Sequence, residues 1–207
     1  MIYTSSARML LAGTRAHTET TSFRSYQSSF SQQYQLYDNT LAGGESIQLQ
    51  VEENTIVALL PTVGTIHIAG EGLLKAGQVQ LLKAATIISN PYEHELVNYL
   101  QLIFSNTKEE PALYTFNLRN KLTDLFAASM QNGLLFASIG KFKGREEMVY
   151  ETYQQGNGVF VFVLQGAFEV QHRLLETRDG LALWNAEQVE IEALSNDAIL
   201  LLVELPA

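Results

Sequence analysis

Cysteine is absent from the 207-residue sequence, which excludes disulfide bonds, thiolate metal sites and a cysteine nucleophile. Basic residues are scarce, because 13 Lys and Arg stand against 22 Asp and Glu, for a formal net charge of −9. The acidic residues are spread over both halves, so no basic face is available for a nucleic acid. No apolar stretch approaches the ~20 residues of a transmembrane helix, and the first residues lack the basic region of a signal peptide. We therefore expect a cytoplasmic protein that binds neither nucleic acids nor membranes.

Catalytic motifs are also missing. The sequence contains no G-x-S-x-G elbow, no P-loop and no H-E-x-x-H pair. Its four histidines are His17, His67, His94 and His172, and none lies two, three or four residues from another. A single strand or helix therefore does not present two imidazoles to one metal ion.

A strand pattern runs along most of the sequence. Val189 and Ile191 alternate with Glu190 and Glu192, which is typical of a half-exposed strand. Residues 159–164 (VFVFVL) are apolar throughout, which is typical of a strand covered on both faces. With 46% hydrophobic and 17% charged residues, the chain has enough apolar side chains for a large core.

Helical signals are few, and the best lies in residues 120–133 (NKLTDLFAASMQNG). Leu122, Leu125, Phe126 and Ser129 would share one face of a helix there. A wide strand is the alternative for the same residues. We predict the helix and keep the strand as its competitor.

Two segments about a hundred residues apart have the same plan. When residues 56–83 are set beside residues 159–185, Gly64 falls on Gly166 and the strand, hairpin and strand around them correspond. Short strands with glycine turns at regular spacing indicate a β-sandwich or barrel. The sequence therefore predicts two β-domains, at residues 1–110 and 111–207, joined near the polar stretch SNTKEEP.

The second copy resembles the C-terminal domain of the pirin family, which are bicupins of the cupin superfamily. Four ordered segments carry the resemblance: GVFVFVLQGAFEV, then RDGLALWN, then EQVEIEAL, then DAILLLVELP. The N-terminal half resembles the family as a degenerate copy, through the opening Met1-Ile2-Tyr3, the stretch Phe23-Arg24-Ser25-Tyr26 and the VGTIHIAG hairpin. The resemblance implies an all-β bicupin in which two antiparallel β-barrels (double-stranded β-helices) face each other, with few short helices.

The resemblance also implies a metal site, but this sequence lacks some of the ligand residues that the site needs. Pirins with known chemistry bind an Fe-type divalent ion in the N-terminal barrel through an H-x-H pair, a further His and a Glu. Counted back from Gly64, the H-x-H positions fall on Gln50 and Glu52, and the distal position falls near Asn90. His94 is the remaining candidate in the following loop. We therefore predict no metal or other cofactor, with these four residues as a possible residual barrel-mouth site.

Two functional hypotheses follow. The first is a metal-free binding or regulatory scaffold, a monomer or weak homodimer whose barrel mouth holds water, a small polar molecule, or side chains such as Tyr99 and Gln101. Its partner would be an unidentified small molecule or protein. The second is a metal-dependent dioxygenase that resembles the quercetin dioxygenases of the family, which needs an ion able to bind oxygen.

Overall fold

The computed structural model describes residues 6–31, 33–118 and 121–206. Within these ranges the regular elements are β-strands, apart from a single-turn 3-10 helix at Ala12–Thr14. The prediction of an all-β fold with few short helices is therefore confirmed. No helix in the described ranges is long and apolar enough to cross a membrane.

The chain forms two compact units. The first described strand, β1 (Ser6–Leu10), belongs to the unit that contains the C-terminal part of the chain. The strands that follow it make up the N-terminal unit: β2 (Ala16–Glu19), β3 (Phe23–Ser29), β4 (Tyr34–Leu41), β5 (Ser46–Leu49), β6 (Thr55–Val63), β7 (Thr65–Ile68), β8 (Gly72–Lys75), β9 (Gln78–Leu82), β10 (Thr86–Ser89), β11 (Val97–Ser105) and β12 (Ala112–Thr115).

The remaining strands join β1 in the C-terminal unit: β13 (Lys121–Met130), β14 (Gly133–Phe142), β15 (Glu147–Glu151), β16 (Gly158–Gln165), β17 (Phe168–Val170), β18 (Arg173–Leu175), β19 (Gly180–Trp184), β20 (Gln188–Ala193) and β21 (Ala198–Leu205). The sequence analysis divides the chain between residues 110 and 111. In the structure β12 pairs with β9 and β1 pairs with β19, so strand pairing assigns these two strands to their units.

Each unit contains one large and one small antiparallel sheet. The large sheets have the orders β12-β9-β6-β11-β4-β3-β2 and β1-β19-β16-β21-β14-β13, and the small sheets have the orders β5-β10-β7-β8 and β15-β20-β17-β18. From β9 to β3 and from β19 to β13 the two large sheets correspond strand for strand. The small sheets correspond in the same way, so the duplication seen in the sequence is a duplication of topology.

The glycines that align in the two copies have the same backbone role. Gly64 and Gly166 have φ values of +77° and +79°, in the left-handed region that favours glycine, and each joins a long buried strand to the next hairpin. A Cβ at Gly64 would lie 2.9 Å from Cγ1 of Val97, and one at Gly166 would meet the side chain of Ser195. Any other residue at these two turns would therefore be strained and crowded.

The helix predicted over residues 120–133 is wrong, because Lys121–Met130 is strand β13. Its pairing with β14 shifts register between Asp124 and Phe126, which makes a β-bulge at Leu125. The bulge allows Leu125 and Phe126 to be buried side by side. Two consecutive buried residues break the period of two and imitate the spacing of an apolar helix face.

The core of the N-terminal unit lies between its two sheets. The cluster draws buried side chains from the large and the small sheet alike: Leu41, Leu49, Val57, Leu59, Ile66, Ile68, Leu74, Leu82, Ile88, Val97 and Tyr99. We call the side of the large sheet that carries Leu41, Val57 and Tyr99 its inner face. At roughly 25 cal/mol for each Å² of apolar surface removed from water, this burial is the main stabilising contribution in the unit.

Candidate functional site

The sequence-predicted residues Gln50 and Glu52 are solvent-exposed and lie in the connection between β5 and β6. Between them, Val51 packs against the core of the N-terminal unit. The connection is therefore held through its apolar residue, and the two polar side chains point to solvent.

Asn90 is the buried member of the predicted set, with 3% of its surface exposed. Its Nδ2 donates to the carbonyl oxygens of Leu41 and Glu95 at 3.0 and 2.7 Å. Its Oδ1 accepts a hydrogen bond from the backbone N–H of Tyr92 at 3.0 Å. All the polar atoms of this side chain are engaged by the backbone, so Asn90 braces the loop between β10 and β11.

His94 lies in the same loop, and 85% of its side chain is exposed. Its nearest ionic neighbour is Glu93, with Nε2 and Oε1 3.7 Å apart. Among the residues that the structure describes, no three His, Asp or Glu side chains are grouped so that they could hold a metal ion. The four predicted residues thus comprise three exposed side chains and one structural amide.

A different set of polar side chains lies on the inner face of the large sheet. Tyr99 belongs to the core cluster, and Gln101 follows it on the same face of β11 because strand side chains alternate. Asn39 is the cross-strand partner of Tyr99, and Tyr37 is the partner of Gln101. Gln27 on β3 pairs in turn with Tyr37. We call the following residues the polar inner patch: Gln27, Gln35, Tyr37, Asn39, Tyr99 and Gln101.

Hydrogen bonds connect most of the polar inner patch. The hydroxyl of Tyr37 donates to Oε1 of Gln35 at 2.7 Å, and Nε2 of Gln27 donates to the same oxygen at 3.2 Å. Nδ2 of Asn39 donates to Oε1 of Gln101 at 3.2 Å. Except for Asn39 and Tyr99, these side chains are only partly buried, so the patch has contact with solvent.

Asn39, a residue with 1% exposure, and Tyr99, a residue with no exposed surface, bury their polar side-chain atoms opposite each other on β4 and β11. Burial raises the pKa of Tyr99 well above its usual range, and the nearby Asn39 amide opposes the rise in part. The Tyr99 hydroxyl is therefore neutral, and its polar neighbour is the side chain of Asn39.

The sequence analysis named Tyr99 and Gln101 as barrel-mouth side chains and missed the residues on β3 and β4. A signal was present, since Gln35, Tyr37 and Asn39 recur with a period of two. Their alternation with Leu36 indicates that one face of the strand is polar, but it does not indicate whether that face lies inside the unit.

An open groove of about 540 Å³ lies on the outer face of the small sheet in the C-terminal unit. Glu192 stands directly opposite Glu147 on one neighbouring strand and Glu169 on the other. Nη1 of Arg145 lies 3.0 Å from Oε1 of Glu192, and Nδ1 of His172 lies 3.7 Å from Oε1 of Glu169. The groove is an acidic, solvated surface, in which Glu192 pairs with Arg145 and His172 lies close to Glu169 and Glu190.

A family model described as the quercetinase C-terminal cupin domain matches residues 134–205. The bacterial pirin YhhW of Escherichia coli, solved in complex with nickel(II), is 18% identical, with a TM-score of 0.81 over 97% of this chain and 99% of that chain. YhaK of Escherichia coli is 14% identical, with a TM-score of 0.70 over 98% and 94%. GK1651 of Geobacillus kaustophilus is 15% identical, with a TM-score of 0.69 over 96% and 95%. No curated protein sequence matches the chain.

Residues 134–205 match the quercetinase C-terminal cupin model, and the chain as a whole has the fold of the bacterial pirin YhhW, in agreement with the predicted resemblance to pirin-like cupins. The all-β bicupin fold is confirmed by the same structural likeness. The sequence identities to YhhW, YhaK and GK1651 are all below 25%, so these comparisons show a shared fold only.

Proposed function

We propose that this pirin-like cupin is a binding or regulatory protein that works without a resident metal ion. The observation that carries the proposal is the state of Asn90, at the distal ligand position that the family resemblance implies. Its amide oxygen and nitrogen are fully engaged by the backbone at Leu41, Tyr92 and Glu95. Freeing Asn90 for another role would break three hydrogen bonds that hold the β10–β11 loop, at about 1 kcal/mol each.

The donor chemistry at the other implied positions supports the same proposal. Sites for Fe, Ni or Zn are built from neutral imidazoles and carboxylates. Here the implied positions offer the amide of Gln50 and the carboxylate of Glu52, with the exposed His94 as the one imidazole in the neighbouring loop. This donor set does not fit a tightly held 3d ion, so we derive no reaction step through one. We propose that the N-terminal unit is a degenerate copy of the metal-binding cupin.

The alternative is a metal-dependent dioxygenase that resembles quercetin dioxygenase. Two observations favour it: YhhW is described in complex with nickel(II), and the family model that matches residues 134–205 is named for quercetinase. The match lies within the C-terminal unit, whereas the implied metal positions lie in the N-terminal unit. The alternative therefore depends on residues outside the matched segment.

Elemental analysis of the full chain tests the proposal against this alternative. The protein is prepared without chelator from medium supplemented with iron, nickel and zinc. We expect far less than one equivalent of any 3d metal and no oxygen uptake with a flavonol. Near one equivalent, lost in Glu52→Gln or His94→Ala and retained in the control His172→Ala, would overturn the proposal.

We also propose that the partner is a small molecule or a protein met in the cytoplasm, and that the chain is a monomer or a weak homodimer. The net charge of −9 supports this, because copies of one acidic chain repel each other. Sedimentation velocity over a range of protein concentrations tests the oligomeric state. A dimer that persists at every concentration would contradict it.

A further inference from the structure

We propose that strand β1 is exchanged between two copies of this chain, so that β1 of one protomer pairs with β19 of its partner and the reverse. The edge of β19 is then an interaction surface whose partner is a second copy of the same chain. The inference rests on the proposed weak homodimer and deepens it by naming the segment that joins the two copies.

The first step is the position of β1 and β12 in the duplicated topology. The two strands lie at the same edge of the two large sheets, β1 beside β19 and β12 beside the corresponding strand β9. In the chain, β1 directly precedes the N-terminal unit but pairs within the C-terminal unit, whereas β12 directly precedes β13 but pairs within the N-terminal unit. The two halves of one chain therefore already exchange strands in the way that we propose for two chains.

The second step is the way in which the two strands are attached. The backbone N–H of Ala12, just after β1, donates to the carboxylate of Asp179, just before β19, at 2.7 Å. The N–H of Phe116, just after β12, donates to the carbonyl oxygen of Gly77, just before β9, at 2.8 Å. Ala7 packs against the core cluster, but no residue of these two fully described strands is buried. Local opening of β1 therefore requires much less free energy than unfolding of the whole unit.

The third step is the fit of the partner. When β1 detaches, the edge of β19 is left with unpaired backbone groups, and such an edge readily takes up another strand. The β1 strand of a second copy matches it, because it reproduces the same five register pairs, from Ser6 with Trp184 to Leu10 with Gly180. Exchange between identical chains keeps these contacts unchanged and is therefore a low-cost route to a dimer.

The fourth step is charge. Residues 6–14 contain Arg8 and no acidic residue, so they carry a formal charge of +1 and the rest of the chain carries −9 − 1 = −10. The exchanged segment is therefore attracted to the acidic partner, although whole copies repel each other. Residues 180–184 (GLALW) of β19 are uncharged, and the guanidinium carbon of Arg8 lies 5.8 Å from the centre of the Trp184 ring, a cation–π distance. The exchanged strand thus meets no like charge on the strand that it joins.

A disulfide trap tests the exchange, because the chain has no cysteine of its own. Ala7 and Leu183 are directly opposite each other on β1 and β19, and antiparallel partners have Cα atoms ~4.5–5.5 Å apart, which a disulfide can span. Ala7→Cys and Leu183→Cys are made in separate chains, which are mixed and oxidised with oxidised glutathione. We expect a disulfide between the two positions, identified by mass spectrometry of the linked peptides, in an amount that rises with protein concentration.

The matched control is a pair of the same residue types on two strands that a hairpin joins. Ala128 on β13 stands opposite Leu135 on β14, and we expect no cross-link between Ala128→Cys and Leu135→Cys chains, because these consecutive strands separate only when the sheet unfolds. If circular dichroism shows that Leu183→Cys does not fold, Ser6→Cys with Trp184→Cys tests the same register at an exposed and a half-buried position. No cross-link between β1 and β19, or an equal cross-link in the control mixture, would overturn the inference.

Failure of the inference is distinguishable from failure of the proposed function. A weak dimer in sedimentation velocity without the cross-link between β1 and β19 overturns the exchange and leaves the weak homodimer, joined through another surface, intact. A stoichiometric metal content overturns the metal-independent function whatever the cross-linking shows.

Discussion

Glu204 is a fully buried carboxylate with an unusual number of donors around it. Its Oε2 accepts hydrogen bonds from the hydroxyl of Tyr150 at 2.7 Å and from the backbone N–H of Tyr153 at 3.0 Å. Its Oε1 accepts from Nδ2 of Asn157 at 2.6 Å and from the backbone N–H of Gln154 at 3.2 Å. Charge-assisted bonds of this kind are the strong ones, and here they hold the connection between β15 and β16 to β21.

We therefore expect Glu204→Gln to lower the free energy of unfolding by about 3 kcal/mol. The new amide group would turn a donor toward donors and leave at least one of them buried and unpaired. The exposed Glu151→Gln, at the end of β15, is the matched control and should change stability by less than about 0.5 kcal/mol. Urea denaturation followed by circular dichroism measures both, and equal effects of the two variants would contradict the assigned role.

At the scale of the element, a single side chain, that of Asp179, fastens the segment that follows β1. This strand lies at the edge of the large sheet of the C-terminal unit, paired with β19. The carboxylate of Asp179, just before β19, accepts a hydrogen bond from the N–H of Ala12 at 2.7 Å and another from the N–H of Glu176 at 3.0 Å. Asp179 thus fastens the segment after β1 to the turn that precedes the partner strand.

We expect Asp179→Asn to increase hydrogen exchange in β1 and in the 3-10 turn about tenfold, while exchange in the N-terminal unit is unchanged. An amide offers one oxygen where two N–H groups need acceptors, so one charge-assisted bond of about 1.5 kcal/mol is lost. Hydrogen exchange followed by mass spectrometry measures the effect by segment. Asp197→Asn, at an exposed ion pair with Lys141, is the control. Uniform exchange changes in both units would show that Asp179 acts on global stability instead.

At the scale of the whole molecule, both units bury tyrosines whose pKa lies above the ordinary value of 10.0. Burial is the main cause for Tyr99 in the N-terminal unit and for Tyr150 in the C-terminal unit, where the hydrogen bond to Glu204 adds to it. Burial also raises the pKa of Tyr34 and Tyr37. The folded protein therefore keeps protons that the unfolded chain releases in alkaline solution.

We expect the thermal unfolding midpoint to fall as pH rises above about 10. Below that pH the folded and the unfolded protein both hold the tyrosine protons, so the buried tyrosines stabilise the fold fully. Above it the unfolded chain binds fewer protons than the folded protein, so the free energy of unfolding decreases. Tyr99→Phe should make the alkaline decrease shallower. A midpoint that is constant across this pH range would contradict the prediction.

The sequence by itself determined the fold class and the duplication. Strand periodicity is a local property, and the turn glycines Gly64 and Gly166 mark a backbone conformation that few other residues adopt, so both signals are present in short windows. The sequence also predicts that the metal-ligand positions implied by the resemblance fall on Gln50, Glu52 and Asn90. The role of Asn90 was not visible there, because its amide donates to the backbone of Leu41, which lies 49 residues away in the sequence.

The tertiary structure decided the features that depend on register between distant strands. The bulge at Leu125 turned an apparent helix face into a strand, since it is defined by pairing with β14. The pairing of β1 with β19 joins the two ends of the chain in one unit. The polar inner patch exists because β4 lies beside β11 with Asn39 opposite Tyr99. Periodicity shows that a face is polar, but the packing of one sheet on another decides whether that face is outside or inside.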